Sequence, residues 1–489
     1  MIRRSSGILL PIFSLPGRYG IGSLGREARA FADFLHDAGQ TWWQILPVGP
    51  TGAGDSPYTS VSTFAGNHLF IDLELLAEEG LLDQTDLNDA AVPNTDRIDY
   101  AALCRTRETL LRRAFSRLSG PGAQAVRDFT ERNPWLKEYA LYRAIKTHFD
   151  DKAWFDWPDD ALCRHEADAV ERWRVELAED VAFHAAVQYW FFTQWEALKK
   201  YVNALGIRII GDVPIYVPLD SADVWAEGEY FQLDDQCRPT EVAGVPPDYF
   251  TADGQLWGNP LYDWDRMRDD GYRWWIRRLG AAGKLYDTVR IDHFRGLESY
   301  WAVPYGETTA RSGHWRKGPG ESFIDAIKTA LPGLDIIAED LGFMTLEVIA
   351  LREYSGFPGM KVLQFAFDSR EPSDYLPHRY PTNCICYTGT HDNATLAQWL
   401  GDAKGDDVAY AKQYLGLNDE EGYVNGIIRG GMSSAQALAE RDDVVISGHV
   451  SPDGYCLGSQ LVLAHAARRA HRRTRRPHRR HDSHVQPVI

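Results

Sequence analysis

Cysteine and long apolar runs are both scarce in this sequence. Only six cysteines occur among 489 residues, and no group of them has the spacing of a zinc site. This excludes a disulfide-stapled scaffold and is typical of a reducing compartment. No run of about 18 apolar residues is present, which argues against a membrane-spanning helix. The apolar stretch at 8–10 is also too short for a signal peptide, so we expect a cytoplasmic protein. The cysteines are Cys104, Cys163, Cys237, Cys384, Cys386 and Cys456.

Positive charge is scarce as well, because 52 Lys and Arg face 69 Asp and Glu, for a net charge of −17. Nucleic acids and anionic membranes are therefore poor partners, and we expect neither. The exception is the end of the chain, where residues 464–489 contain eight Arg and one Asp. We interpret 447–489 as an atypical, poorly ordered basic tail, with a nucleic-acid-binding arm as the alternative.

Aromatic residues, in contrast, are plentiful, with 16 Trp and 23 Tyr. Large aromatic side chains build cores and interfaces, and they also stack on sugar rings. Composition alone does not decide between these two uses.

Helical and apolar strand-like segments alternate along the chain. This alternation indicates a parallel sheet covered by helices. A doubly wound sheet and a barrel both fit it, and the number of units favours a (β/α)8 TIM barrel. The predicted helices are 26–38, 186–205, 272–282, 323–330 and 348–354, and the predicted strands are 43–46, 207–210, 288–291, 336–338, 362–367, 384–387 and 444–446.

Two long segments interrupt this alternation. Residues 76–185 are helical and rich in Asp, Glu, Arg and Ala, which predicts a helical insertion. Residues 216–264 are dense in Pro, Gly, Asp and aromatics, and a loop of that length in a compact domain is usually functional. We therefore expect 1–75 to begin the barrel and 186–446 to complete it.

Four acidic residues occupy equivalent places in the predicted units. Asp212, Asp292, Glu339 and Asp392 each follow a different apolar strand. The carboxyl ends of barrel strands converge on one face, where such enzymes build their active sites. The sequence thus predicts a cluster of carboxyl groups at that face.

Paired carboxyl groups are the chemistry of glycosidic bond cleavage, in which one attacks the sugar carbon and the other protonates the leaving oxygen. Arg290 precedes Asp292 by two positions and so lies on the same side of its strand, where it would keep Asp292 ionised. A poorly solvated position would keep Glu339 protonated.

Structural explanations remain open for each of these residues. Arg290 and Asp292 would also form an ion pair inside a barrel, Glu339 would cap a helix, and Asp212 would shape a turn. His391 and His293 flank two of the acids, and a role in binding sugar hydroxyls fits His391 better. Neither histidine has a plausible set of metal ligands around it, so we expect no metal site.

Several longer segments resemble one known family. The chain looks like an amylomaltase, that is, a 4-α-glucanotransferase of the α-amylase clan, and the matching segments run in the family's order from residue 7 to about 434. They are GILLPIFSLPGRYGIGSLG at 7, GDSPYTSVSTFAGN at 54, GDVPIYV at 211, VAGVPPDYFTADGQLWGNPLYDW at 242, VRIDHFRGLESYWAVP at 289, IAEDLGF at 337, GFPGMKVLQFAF at 356 and YTGTHDNAT at 387.

The resemblance implies a role for each matching residue. Asp292 matches the nucleophile, Glu339 the acid/base, and Asp392 a third carboxylate that binds sugar hydroxyls and distorts the ring. No cofactor is implied, and the partners implied are a maltooligosaccharide, starch or glycogen donor and a glucose or maltodextrin acceptor. The residues that match substrate-binding positions are Arg290, His391, Asp212, Tyr58, Ser56, Gln255, Trp257 and Phe365, the last on the acceptor side.

The chain departs from the family near its end. The family closes with a compact segment containing Trp and Asn on the acceptor side, whereas no Trp follows Trp399 here. Two alternatives to a transferase therefore stay open. One is an α-glucan hydrolase, which would share the four acids, and the other is a glucan-binding protein made inert by its altered C-terminus.

Overall fold

Twelve strands are formed in the computed structural model, which describes residues 5–92, 97–248, 251–342, 344–437 and 445–449. The strands are β1 (Ser5–Leu9), β2 (Trp42–Gln44), β3 (Arg208–Val213), β4 (Glu241–Val245), β5 (Gln255–Pro260), β6 (Thr288–Ile291), β7 (Ser299–Pro304), β8 (His314–Lys317), β9 (Asp335–Ala338), β10 (Gly359–Val362), β11 (Cys384–Tyr387) and β12 (Val445–His449).

Seventeen α-helices accompany these strands within the same described ranges. They are α1 (Arg26–Asp37), α2 (Leu73–Glu78), α3 (Gln84–Ala90), α4 (Tyr100–Arg117), α5 (Gly120–Arg132), α6 (Trp135–His148), α7 (Asp160–Cys163), α8 (Ala167–Glu176), α9 (Ala178–Ala204), α10 (Ala222–Ala226), α11 (Trp264–Asp269), α12 (Arg273–Leu285), α13 (Glu321–Ala330), α14 (Leu346–Ser355), α15 (Leu396–Asp402), α16 (Gly405–Leu415) and α17 (Tyr423–Ala437).

Eight of the strands form a closed parallel ring. They are hydrogen-bonded in the order β10, β11, β12, β1, β2, β3, β6, β9. The ring closes between β9 and β10, where the Ala338 N–H donates to the Pro358 carbonyl at 2.9 Å. This closure excludes the open doubly wound sheet and confirms the predicted (β/α)8 barrel.

Local sequence explains the regular units of the barrel. Helix α1 buries Ala28, Phe31, Ala32 and Leu35, which recur at the helical spacing of three and four. Gly39 then turns the chain toward β2 with φ of +72°, a conformation that favours glycine. Helix α9 packs on β3, α12 packs on β3 and β6, and α13 packs against α12 and α14.

One predicted strand was wrong in position. The prediction placed it at 362–367, whereas β10 ends at Val362 and residues Leu363–Ala366 form a 3₁₀ turn. The Gln364 side chain donates to the Ala394 carbonyl at 2.7 Å and so ties this turn to the loop after β11. A continuous apolar run does not reveal such a turn, because helix, turn and buried strand all accept it.

The segment predicted as an insertion, 76–185, contains the end of α2, all of α3 to α8 and the start of α9. The predicted boundary at 185 falls inside α9, which runs unbroken from Ala178 to Ala204. At the other end, β12 extends to His449, three residues into the segment interpreted as a tail. Residues 450–489 lie outside the described ranges.

The long segment 216–264 contains regular structure that the sequence did not predict. Strands β4 and β5 pair with β7 and β8 in an antiparallel sheet of order β5, β4, β7, β8. β4 and β5 follow the barrel strand β3, and β7 and β8 follow its neighbour β6. This sheet therefore joins the loops of two neighbouring barrel units.

Most of the aromatic excess belongs to the core. Trp43, Trp195, Trp274 and Trp275 are among the largest fully buried side chains, whereas Trp257 is 37% and Trp315 44% exposed. Of the helices described, none has the length and apolar character needed to cross a bilayer.

Candidate active site

Three neighbouring strands deliver charged side chains to one end of the ring. In β3 and β6, Asp212 lies directly opposite Arg290, and Asp292 follows β6. In β6 and β9, Ile291 lies opposite Ala338, and Glu339 follows β9. The Glu339 N–H donates to the Ile291 carbonyl at 3.0 Å, which continues the ladder to the acids.

Arg290 is the cation on which these acids converge. Its Nη1 lies 2.6 Å from Asp212 Oδ2 and its Nη2 lies 2.9 Å from Asp292 Oδ1. The side chains of Arg290 and Asp212 are 3% and 1% exposed, whereas that of Asp292 is 30% exposed. Asp292 is therefore the carboxylate of this pair that a substrate can reach.

Tyr58 connects Asp212 to the residues that follow β11. Its hydroxyl donates to Asp212 Oδ2 at 2.6 Å and lies 2.8 Å from His391 Nε2. Since the hydroxyl hydrogen goes to the carboxylate, His391 Nε2 must carry the proton that points at the Tyr58 oxygen. The same nitrogen lies 3.2 Å from Asp392 Oδ1, which places Asp392 at the open edge of the group.

Glu339 is held by backbone N–H groups. Its Oε2 accepts from the His293 N–H and its Oε1 from the Leu341 N–H, both at 2.8 Å. His293 adopts the left-handed conformation with φ of +51°, which turns the chain directly after Asp292. The two candidate catalytic carboxyls are therefore fixed around one short turn.

The remaining predicted residues lie farther out. The rings of Trp257 and His293 pack edge to face with their centroids 4.8 Å apart, and the Trp257 indole N–H donates to Gln255 Oε1 at 3.1 Å. Phe365 is 41% exposed and packs against Tyr375, not against the acids.

Ser56 contributes a hydrogen bond to the backbone of the same loop. Its Oγ accepts from the Tyr58 N–H at 3.2 Å, and no hydrogen bond from Ser56 to the acids was found among the described residues.

Burial raises the pKa values of both candidate catalytic acids, and repulsion from neighbouring carboxylates adds to it. Burial raises the pKa of Asp292 to about 8; Arg290 opposes this shift, and Asp212 and Glu339 add to it. Burial also raises the pKa of Glu339. Arg290 thus acts on Asp292 in the predicted direction, but burial outweighs it. The three carboxyls of Asp212, Asp292 and Glu339 share the one guanidinium of Arg290, which favours retention of a proton by the group.

The raised pKa of Asp292 gives a prediction for stability. A group whose pKa rises on folding contributes stability that is present below about pH 4 and is lost as the pH rises through about 8. Asp292→Asn removes this loss, so the melting temperature of the variant minus that of the parent should increase by a few degrees from pH 5 to 9. Calorimetry of both proteins, with Gln255→Ala as a non-titrating control, would measure it. A flat or falling difference contradicts the prediction.

Within the described residues, no cluster of His, Cys, Asp and Glu has the geometry of a metal site. Cys384 and Cys386 are buried thiols in β11, and burial raises the pKa of each to about 12. Thiols in that state are poor metal ligands and poor nucleophiles.

Sequence reasoning missed the support beneath these acids. The Tyr387 hydroxyl donates to Gln44 Oε1 at 2.9 Å across the inside of the barrel, and Arg290 Nε lies 3.4 Å from Met360 Sδ. Gln44 is the last residue of β2 and Tyr387 the last residue of β11, and both side chains face the inside of the barrel. Once a barrel is assumed, a polar residue at the end of a strand is a candidate for such a supporting contact.

The closed ring and the carboxyls at the ends of its strands define the class of (β/α)8-barrel enzymes. The sequence profile of the 4-α-glucanotransferases matches residues 10–444. The chain therefore belongs to the 4-α-glucanotransferase family, whose members transfer a segment of a 1,4-α-glucan to an acceptor sugar.

Individual relatives agree with this assignment. The 4-α-glucanotransferases of Streptococcus pneumoniae and Thermus thermophilus are each 48% identical to the chain, over 90% and 89% of its length and 88% and 89% of their own. The amylomaltase from Streptococcus agalactiae in complex with acarbose is 40% identical and superposes with a TM-score of 0.87, and the match covers 91% of this chain and 90% of that one.

Proposed function

We propose that the enzyme works by retaining double displacement, with Asp292 as nucleophile and Glu339 as general acid and base. The observation that carries this proposal is the pair of carboxyls on adjacent strands, one ion-paired with Arg290 and the other held at the His293 N–H. Carboxyls on neighbouring strands suit the roughly 5 Å separation of retaining enzymes.

The partners of the two carboxyls decide where the shared proton resides. The ion pair with Arg290 favours the charged form of Asp292, whereas Glu339 has only neutral N–H donors. Charge-assisted contacts are the stronger kind. Because burial raises the pKa of Asp292 to about 8 and also that of Glu339, the free enzyme shares the proton between the two carboxyls. We assign the reactive form to the state that the Arg290 ion pair favours, in which Asp292 is charged and Glu339 holds the proton for the leaving oxygen.

In the first step, Asp292 attacks the anomeric carbon of the donor while the glycosidic bond breaks and Glu339 protonates the leaving oxygen. In the second step, the 4-hydroxyl of an acceptor attacks the same carbon, Glu339 takes up the hydroxyl proton, and Asp292 is released. No water is consumed, so the number of reducing ends stays constant.

The surrounding residues fit donor and acceptor binding. Asp392 at the open edge suits hydrogen bonds to sugar hydroxyls, with His391, Tyr58, Asp212 and Ser56 behind it. We assign Trp257 and Gln255 to covering the bound glucan and Phe365 to stacking on the acceptor.

The ligands we propose are a maltooligosaccharide or a starch- or glycogen-type donor, and glucose or a maltodextrin as acceptor. We propose no nucleic-acid or membrane partner. Free buried thiols such as those of Cys384 and Cys386 suit a cytoplasmic location.

Incubation with maltotriose tests the proposal. We expect glucose together with maltodextrins longer than maltotriose, and no net increase in reducing ends. Glucose and maltose with rising reducing ends would instead identify a hydrolase. Binding of maltotriose without products, unchanged in Asp292→Asn, would identify an inert glucan-binding protein.

A further inference from the structure

The loop that carries Tyr58 needs external support. Residues 56–67, called the Tyr58 loop here, contain no α-helix or strand, yet the Tyr58 hydroxyl is placed at 2.6 Å from Asp212 and 2.8 Å from His391. A loop without its own hydrogen-bond ladder holds such a position only if other elements fix its backbone.

Helix α10 supplies that support through three hydrogen bonds. The Thr63 N–H and hydroxyl both donate to the Asp223 carboxylate, at 2.8 and 2.6 Å, and the Ala222 N–H donates to the Val61 carbonyl at 2.9 Å. Asp223 is only 4% exposed, so water competes little for these bonds.

Helix α10 is in turn fixed to the helical insertion through Asp220. The Tyr142 hydroxyl donates to Asp220 Oδ1 at 2.7 Å, and Lys146 Nζ donates to Asp220 Oδ2 at 2.6 Å. Tyr142 and Lys146 are one turn apart on α6 and are both buried. The Trp154 indole adds a bond of 2.7 Å to the Leu219 carbonyl.

We propose that Asp220 and Asp223 are positioning residues for glycosyl transfer, because together they join the helical insertion to the Tyr58 loop. This inference rests on the proposed function, in which Tyr58 belongs to the substrate site. Asp223 is buried, and Asp220, whose side chain is 32% exposed, accepts a charge-assisted bond from the buried Lys146. Such hydrogen bonds fix a position more sharply than apolar contacts do. A shift of about 1 Å at a reacting centre costs up to about 100-fold in rate.

The main test is Asp223→Asn, which keeps the shape but loses one of the two acceptors for Thr63. We expect kcat/KM for maltotriose to fall about tenfold, mostly through kcat. In a Tyr58→Phe background the same substitution should change kcat/KM by less than about twofold, because the hydroxyl it positions is already gone. Thr63→Val should resemble Asp223→Asn, and Thr63→Ser, which keeps the donor, should resemble the parent.

Asp86→Asn is the matched control. Asp86 is also buried, at 1% exposed, and pairs with Arg113 and with Arg117 at 2.8 Å, but it lies on α3, its two partners lie on α4, and it has no hydrogen bond to the Tyr58 loop. It should lower the melting temperature and leave kcat/KM within about twofold of the parent.

Hydrogen exchange gives a readout that does not depend on activity. Peptides covering 58–67 should exchange faster in Asp223→Asn than in the parent and should be unchanged in Asp86→Asn. Unchanged exchange, or an equal loss of kcat/KM with and without the Tyr58 hydroxyl, would overturn the positioning role. A different result would count against the proposed function instead: the parent makes no maltodextrin longer than maltotriose, although hydrogen exchange in 58–67 is still faster in Asp223→Asn.

Discussion

Asp292→Asn is expected to lower the disproportionation of maltotriose by at least about 10⁴-fold, since the amide does not form the glycosyl ester on which both steps depend. No donor, however reactive its leaving group, should restore the activity. Rapid quenching of the parent with maltotriose, followed by mass spectrometry, should show a glycosyl adduct on the peptide that contains Asp292.

Asp287→Asn is the matched control for this variant. Asp287 precedes the same strand, β6, at the opposite end of the ring, where its Oδ2 accepts from the Ile209 N–H at 2.7 Å. Its replacement should leave kcat/KM within about twofold of the parent. An adduct on a different residue, or an Asp292→Asn variant with more than 1% of parental activity, would contradict the assigned nucleophile.

Glu339→Gln is expected to lower the same activity by about 10²- to 10⁴-fold, because the leaving sugar oxygen then receives no proton. The loss should depend on the donor. With α-maltosyl fluoride, whose fluoride leaves without protonation, formation of the glycosyl-enzyme should stay within about tenfold of the parent. Fluoride release measured with an ion-selective electrode separates this pattern from that of Asp292→Asn.

Asp340→Asn is a suitable control for Glu339→Gln because it alters the neighbouring carboxyl. Asp340 Oδ1 accepts from the Met360 N–H at 2.6 Å and serves the junction of β9 and β10, not the substrate. Any loss in that variant should be equal for maltotriose and maltosyl fluoride. An equal loss for both donors in Glu339→Gln would show that Glu339 is not the acid.

Alternating apolar segments and acids were sufficient to predict the barrel and the face that holds its site. β6 and β11 have the predicted bounds, and Asp212, Asp292 and Glu339 lie at the predicted end of their strands. Both features can be read from short stretches of sequence. A barrel strand is buried on both of its faces and therefore needs a short apolar run, and the polar residue directly after that run lies at the end of the barrel. The roles of these acids stay predictions until the variants are measured.

Contacts between distant segments were beyond such reasoning. The Tyr58 hydroxyl meets partners 154 and 333 residues away, and no spacing in the sequence encodes that meeting. The same holds for Asp223 and Thr63, which are 160 residues apart. The sheet of β4, β5, β7 and β8 was missed for two reasons. Pro, Gly and Asp, which are rare in strands, are frequent in 216–264, and β4 pairs with β7 of the neighbouring barrel unit.

The position of β12 in the ring has a consequence for biosynthesis. β1 is hydrogen-bonded to β2 on one side and to β12 on the other, with Ser5 opposite Val445. At translation rates of about 5–20 residues per second, the nascent chain waits on the order of tens of seconds before that second neighbour leaves the ribosome. During this interval an apolar strand edge is exposed, which is the kind of surface that chaperones bind and that nucleates aggregation.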